Sequence, residues 1–413
     1  MNVASFTSIR ATILTPRPAF WLGCVAKDMK DDHDHASLEE RSANIITIQN
    51  ALVFNGINIE SSSKLTFHAS PGNIVDKAHS AKTVIDASGY TLIPGLIDAK
   101  VDADAAAKSF QLFGQAGITT VIDSSSGTSD SQVMHAASAD APGMPSYIAS
   151  GSAIAGEHYD ANLTTLVYQR VQTVGTIAEV DEIMASRISI SKAPNFDFVK
   201  VIADLPGLNN ELLHYVVEAA HRYGKLVVAH ASSLESYGRA VIAGCDIITP
   251  APVDGEIDSD TIKALVDRGT VIIPTLVLLR RLFDRQDGAL SEFDIAFANV
   301  GRLHSAGVPI CAGTAANERD GVAVPFGKSL HDELGLLVEA GLSNADALRS
   351  ATSVPARAFR LLNRGNMNVG TRSDLLLLKG NPLEDIHKIS QIHRMWIAGI
   401  EFDLESNEGV VCE

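Results

Sequence analysis

Several apolar runs in this chain end in side chains that can donate hydrogen bonds or move protons. "LIPGLIDAKVDAD" carries Lys100 and Asp102, two positions apart and therefore on one face of a strand. "TTVID" ends on Asp123, "FVKVIAD" holds Lys200 and Asp204, and "LVVAHA" holds His230. An ammonium beside a carboxylate and an imidazole can polarise a carbonyl oxygen and relay a proton. A lysine whose pKa is lowered by burial can also form a Schiff base. Thr275, in "VIIPTLVLLRRLF", and Asn317, in "CAGTAAN", are polar companions at two further run ends. No Gly-x-Ser-x-Gly elbow is present, so a serine hydrolase triad of that kind is not indicated.

These residues need a frame that points them at one another. From Ile97 onward, eight short apolar runs alternate with segments of helical spacing such as "NNELLHYVVEAAHRYG" and "DSDTIKALVDRG". Eight such units predict an α/β chain with a (β/α)8 barrel, whose strands turn their C-terminal ends toward one cavity. By that rule Lys100, Asp102, Asp123, Lys200, Asp204, His230, Thr275 and Asn317 ring the mouth. Strand-like composition flanks the barrel on both sides: "NIITIQNALVFNG" and "KTVIDASGYTLIPG" before it, "TRSDLLLLKGN" and "RMWIAGI" after it. The expected organisation is an extension over 1–43, a small β-sandwich from 44–94 plus 369–413, and the barrel over 95–368. "LSNADALRSAT" is expected to open a helix with Asn344 as its N-cap.

With 33 basic and 49 acidic residues, the formal charge of −16 disfavours a nucleic-acid partner, which would require a concentrated cationic face. Cys24, Cys245, Cys311 and Cys412 lie far apart, with the spacing of neither a zinc ribbon nor a disulfide framework. No apolar run reaches the roughly 20 residues that span a bilayer. The N-terminal segment has Ser, Thr and Arg and no acid before Asp28, as a transit peptide does, but lacks an amphipathic face and a secretory signal, so the cytoplasm is expected, with organelle import as the alternative. His33 and His35 sit in an acidic tract and read as a solvated tail.

Taken in order, "VIDASGYTLIPGLIDAKVD", "FVKV", "LVVAHA", "AGCDIITPA", "VPICAGTAA", "HDELGLLVEAGLSNADALRSAT" and "VGTRSDLLLLKGNPLEDI" resemble the amidohydrolase superfamily, in its imidazolonepropionase-like and prolidase-like branch. The resemblance implies a metal site with a His-x-His pair on the first strand, a lysine on the fourth, histidines on the fifth and sixth, and an aspartate on the eighth. Here Lys100 and Asp102 stand at the His-x-His positions, Pro250 at the sixth-strand histidine and Ala315 at the aspartate; Lys200 and His230 match. His331 lies in a motif that the family shares.

The expectation that follows is a cavity without a metal ion, in which Lys100 supplies positive charge and Asp102, Lys200, His230, Asp123 and His331 are the candidates for hydrogen bonding and proton transfer. Pro250, Thr275, Leu276, Ala315 and Asn317 are expected to line a pocket for a small apolar metabolite. The reaction expected there is a non-hydrolytic cyclisation or isomerisation, for example an intramolecular cycloaddition in a biosynthetic pathway. Two alternatives stay open: an amidohydrolase acting on C–N bonds through one zinc held by Asp102, His230 and carbamylated Lys200, and a non-catalytic binding protein. A homo-oligomer is compatible with the sequence.

Overall fold

A computed structural model describes residues 45–405, apart from 77–80, 104–108, 160–170, 190–195, 284–290, 320 and most positions from 125 to 142. The N-terminal extension, with His33 and His35, lies outside the described residues.

Strands from both ends of the chain meet in one eight-stranded sheet. Ile45–Phe54 pairs with Ile59–His68, while Thr91–Pro94 is bonded on one side to Ile45–Phe54 and on the other to Leu375–Leu378. The all-leucine strand Leu375–Leu378 shows why both faces must be apolar. Leu375 and Leu377 join Ile48, Val53, Phe67, Leu92 and Trp396 on one face, and Leu376 and Leu378 face the opposite way into the main core with Met395 and Ile397. Side chains alternate along a strand, so a run of four leucines serves two cores at once.

The predicted runs form parallel strands at Leu96–Val101, Ile118–Asp123, Ser146–Ala149, Val199–Ile202, Val227–His230, Ile247–Thr249 and Val271–Ile272. The eighth run adds bridges from Ile310 to Ile272 and from Ala316 to Val101, so it links the seventh strand back to the first. Backbone bonds from Ala99 N to the Ala312 carbonyl and from Ala315 N to the Lys100 carbonyl complete that seam. Two strands were not expected, Ala153–Gly156 and Val171–Val174. The first pairs with Val199–Ile202 through Ile154 and Val201, and the second lies outside it. Helix Asn210–Arg222 buries Leu212, Leu213, Val216, Val217 and Ala220, the stripe that its spacing predicts. The helix of "LSNADALRSAT" is capped by Ser343, whose hydroxyl accepts from Asp346 N, and Asn344 is instead its first residue. The serine oxygen sits at the reach a cap requires.

The seam beneath Lys100 is tight. A methyl group on Gly313 would lie 2.5 Å from Ile273 Cγ2 and 2.9 Å from Lys100 N. Gly313→Ala is therefore expected to lower the unfolding free energy by about 1–3 kcal/mol, read by urea denaturation.

Two carboxylates are sealed inside this region. Asp98 accepts from Thr314 N at 3.0 Å, Thr314 Oγ1 at 2.7 Å and Lys100 N at 3.3 Å, and burial pushes its pKa up to about 7. Glu333 accepts from Leu276 N and Val277 N at 3.0 and 2.8 Å, and burial, with Asp98 adding to it, raises its pKa to about 8. Both groups hold a proton in the folded chain that the unfolded chain releases near pH 4. Stability therefore falls as pH rises from about 4, up to about pH 7 for Asp98 and about pH 8 for Glu333, by at most roughly 1.4 kcal/mol per pH unit for each group. Asp98→Asn should flatten this decline; a decline identical to that of the parent protein would refute the assignment.

Candidate active site

At the C-terminal ends of the strands, Lys100, Asp102, His230, Thr249, Pro250, Thr275, Leu278 and Arg319 surround a void of about 10 Å³. That is room for at most about one water. Lys100 Nζ lies 3.3 Å from Asp102 Oδ1, and Arg319 Nη2 lies 3.3 Å from Asp102 Oδ2. Lys100 and Asp102 are nearly sealed from solvent, whereas Arg319 is a quarter exposed. Two cations thus share one buried carboxylate, a network that a low dielectric strengthens.

His230 faces the void from the end of the fifth strand, and its Nε2 is 3.1 Å from Asp204 Oδ2. Asp204 is fixed in turn by Ser232 N at 2.9 Å, Ser232 Oγ at 2.7 Å and the Ser236 hydroxyl. Ser236 lies in the first turn of helix Leu234–Ala243, which Ser233 caps. Burial works against the Asp204 charge, but the hydrogen bond from His230, followed by the serine donors, holds this carboxyl well below the usual carboxylate range. Burial lowers the His230 pKa although Asp204 opposes this, so the imidazole is neutral at neutral pH. Lys200 is fully buried; burial first, and then the charge of Lys100, push its pKa well down. A neutral amine is a base or nucleophile, and an ammonium is neither.

The structure divides the expected residues. Lys100, Asp102, His230, Pro250 and Thr275 come together around the void. Ala315 and Thr275 adopt positive φ, 52° in each case, at the ends of the eighth and seventh strands. Ala315 is buried and does not line the void, and Leu276 is buried where its backbone N–H meets Glu333. Asp123 is also held away from the void, accepting from Tyr147 Oη at 2.8 Å and Ala103 N at 3.2 Å. His331 is placed elsewhere, in a surface cavity shared with Asn317, with its Nε2 2.8 Å from the Ala116 carbonyl. Asn317 has an indirect part: its amide donates to the Ala315 carbonyl and its Oδ1 accepts from Arg319 N at 2.9 Å, shaping the turn that presents Arg319. Arg319 and Glu333 were not singled out by sequence reasoning. Arg319 lies two residues beyond Asn317 and Glu333 two beyond His331, so the signal was adjacency to chosen residues.

The profile of the amidohydrolase family matches residues 81–401. The chain belongs to the amidohydrolase family. Among solved structures this amidohydrolase chain is similar to molinate hydrolase, with 18% identity, a TM-score of 0.72 and coverage of 90% of this chain and 98% of that one. It is also similar to a Xaa-Pro dipeptidase, at 22% identity and a TM-score of 0.71, covering 87% of this chain and all of the other. An Aspergillus niger ochratoxinase matches at 19% identity and a TM-score of 0.70, covering 86% and 95%. At these identities the likeness concerns the fold. An uncharacterised protein of Mycobacterium tuberculosis is 28% identical over 192 residues, 44% of this chain and 49% of the relative, so the match spans about half of that relative's length.

Membership of this family raises the question of a metal ion. Among the described residues, no three His, Cys, Asp or Glu side chains gather closely enough to hold one. Asp102 is engaged by Lys100 and Arg319, and His230 by Asp204. Zinc takes about three imidazole, thiolate or carboxylate donors, and a neighbouring ammonium repels it. This donor set does not fit such an ion. Among the same residues, no helix is long and apolar enough to cross a membrane.

Proposed function

We propose that this amidohydrolase-fold protein is an enzyme that works without a resident metal ion, converting a small, largely apolar metabolite by non-hydrolytic cyclisation or isomerisation. The observation that carries this reading is the Lys100–Asp102–Arg319 network, which puts two fixed cations at the mouth. In this reading the Lys100 ammonium donates a hydrogen bond to a substrate carbonyl oxygen and stabilises the negative charge that develops there. Neutral His230, oriented by Asp204, accepts or returns a proton, and the Lys200 amine below it is a second proton acceptor. Pro250, Thr275 and Leu278 close the inner side of the void and keep bulk water from these groups. Because the void itself holds no more than about one water, the metabolite rests on its outer side, with Lys100 and Arg319 as the groups it meets.

A second reading is hydrolysis of a C–N bond, favoured by the names of structural neighbours such as the Xaa-Pro dipeptidase and molinate hydrolase. One experiment separates the two. The purified protein is incubated with a metabolite extract in water enriched in oxygen-18, and the changed species are followed by mass spectrometry. The proposal predicts a product isomeric with its substrate and free of the heavy oxygen. A product that has gained the elements of labelled water supports hydrolysis instead.

A further inference from the structure

At the opposite end of the barrel lies a cavity of about 420 Å³, lined at the strand starts by Leu226, Ile247 and Val271, and flanked by Arg268 and Arg357. Pro250 at the mouth lies four positions beyond Asp246 in the cavity wall, roughly 13 Å at about 3.3 Å per residue, so the two sites are distinct. We propose that this cavity binds a small organic dianion with an apolar body, such as a phosphate monoester or a dicarboxylate. The proposal does not depend on the reaction assigned to the mouth.

Three observations converge on it. First, neither Arg268 nor Arg357 pairs with a carboxylate among the described residues, in a chain whose acids outnumber its bases by 49 to 33. Second, the acid in the wall is already engaged, because Asp246 Oδ2 accepts from Val227 N at 2.8 Å and lies 2.8 Å from His221 Nε2. Two guanidiniums against this one carboxylate leave the lining with a net positive charge. Third, the Arg268 guanidinium lies against the cavity wall at Gly244. Gly244, at φ 85°, caps helix Leu234–Ala243, and a methyl group there would lie 3.7 Å from Arg268 Nη1.

Each arginine sits in the last turn of a helix, Ser259–Arg268 and Ser353–Ala358, where the carbonyl end of the helix favours a cation. That placement alone would satisfy a purely structural role. It does not account for two exposed forks flanking one concave pocket of ligand size whose wall is part apolar and part polar. Guanidinium forks match carboxylate and phosphate oxygens in pairs.

The test is isothermal titration of the full chain with phenyl phosphate, phenylsuccinate and inorganic phosphate. Saturable one-site binding of phenyl phosphate or phenylsuccinate, tighter than that of inorganic phosphate, is expected, and the tighter of the two aromatic probes identifies the anion type. The double variant R268M/R357M should weaken that binding at least tenfold, and R319M at the mouth should leave it within twofold. Absence of saturable binding, equal affinity for inorganic phosphate, an unaltered double variant, or loss of binding in R319M would each overturn the proposal. If the double variant does not fold, R357M alone decides, with at least a threefold loss expected and an unchanged affinity contradicting the site.

Discussion

Lys100→Met is expected to lower kcat by about 10²–10³-fold while leaving the protein folded, because it deletes the donor that the proposed mechanism directs at the developing negative charge. Methionine keeps most of the length and apolar bulk of the lysine stem, and Asp102 retains Arg319 at 3.3 Å, so no buried carboxylate is stranded. The effect should fall on kcat more than on KM, since a hydrogen bond that strengthens only in the transition state does not contribute to substrate binding. Lys100→Arg should not restore the rate, because the planar fork cannot place a single donor where the compact ammonium sits. Steady-state kinetics on the substrate found by the labelled-water experiment give the answer. Unchanged turnover in the methionine variant would remove Lys100 from the chemistry.

Asp204→Ala carries the second large effect. The carboxylate accepts from Ser232 N, Ser232 Oγ, Ser236 Oγ and His230, and it lies at the N-terminal turn of helix Leu234–Ala243, where negative charge is favoured. Alanine would leave several of these donors without an acceptor in a mostly buried place. The expected cost is about 3–5 kcal/mol of unfolding free energy, measured by chemical denaturation. The folded-state pKa of Asp204 lies below its unfolded value. Its contribution is therefore complete above about pH 4 and disappears as pH falls toward the folded pKa. The stability difference between parent and variant should accordingly shrink in acid. A difference that stays constant from pH 7 down to pH 3 would show that Asp204 is not held as an ionised carboxylate.

The parallel strands were legible in the sequence because strands covered on both faces read as unbroken apolar runs; seven of the eight runs are parallel strands and the eighth bridges the seventh to the first. The two extra strands were not legible: "AIAG" is too small and "VQTV" too short and polar to stand out. Lys100, Asp102 and His230 could be placed because a strand's C-terminal end points its residues at the mouth. His331 was misplaced for the complementary reason. It sits on a helix, where a turn of about 100° per residue separates neighbours, and the side chain that reaches inward from that helix is Glu333. Arg319 reaches Asp102 across 217 positions through a turn built by Asn317, a contact that no local pattern encodes. The N-cap fell on Ser343 for a similar reason, since adjacent Ser and Asn offer the same chemistry and only backbone direction chooses between them.

Elemental analysis of the purified, catalytically active protein tests the central claim most directly. Less than about one tenth of an equivalent of zinc, manganese, iron, cobalt or nickel per chain is expected, with turnover unaffected by chelator, since two cations already occupy the carboxylate a metal would need. One equivalent of a divalent metal per chain, lost together with activity on chelation, would contradict the account and point to a hydrolytic centre at the same mouth.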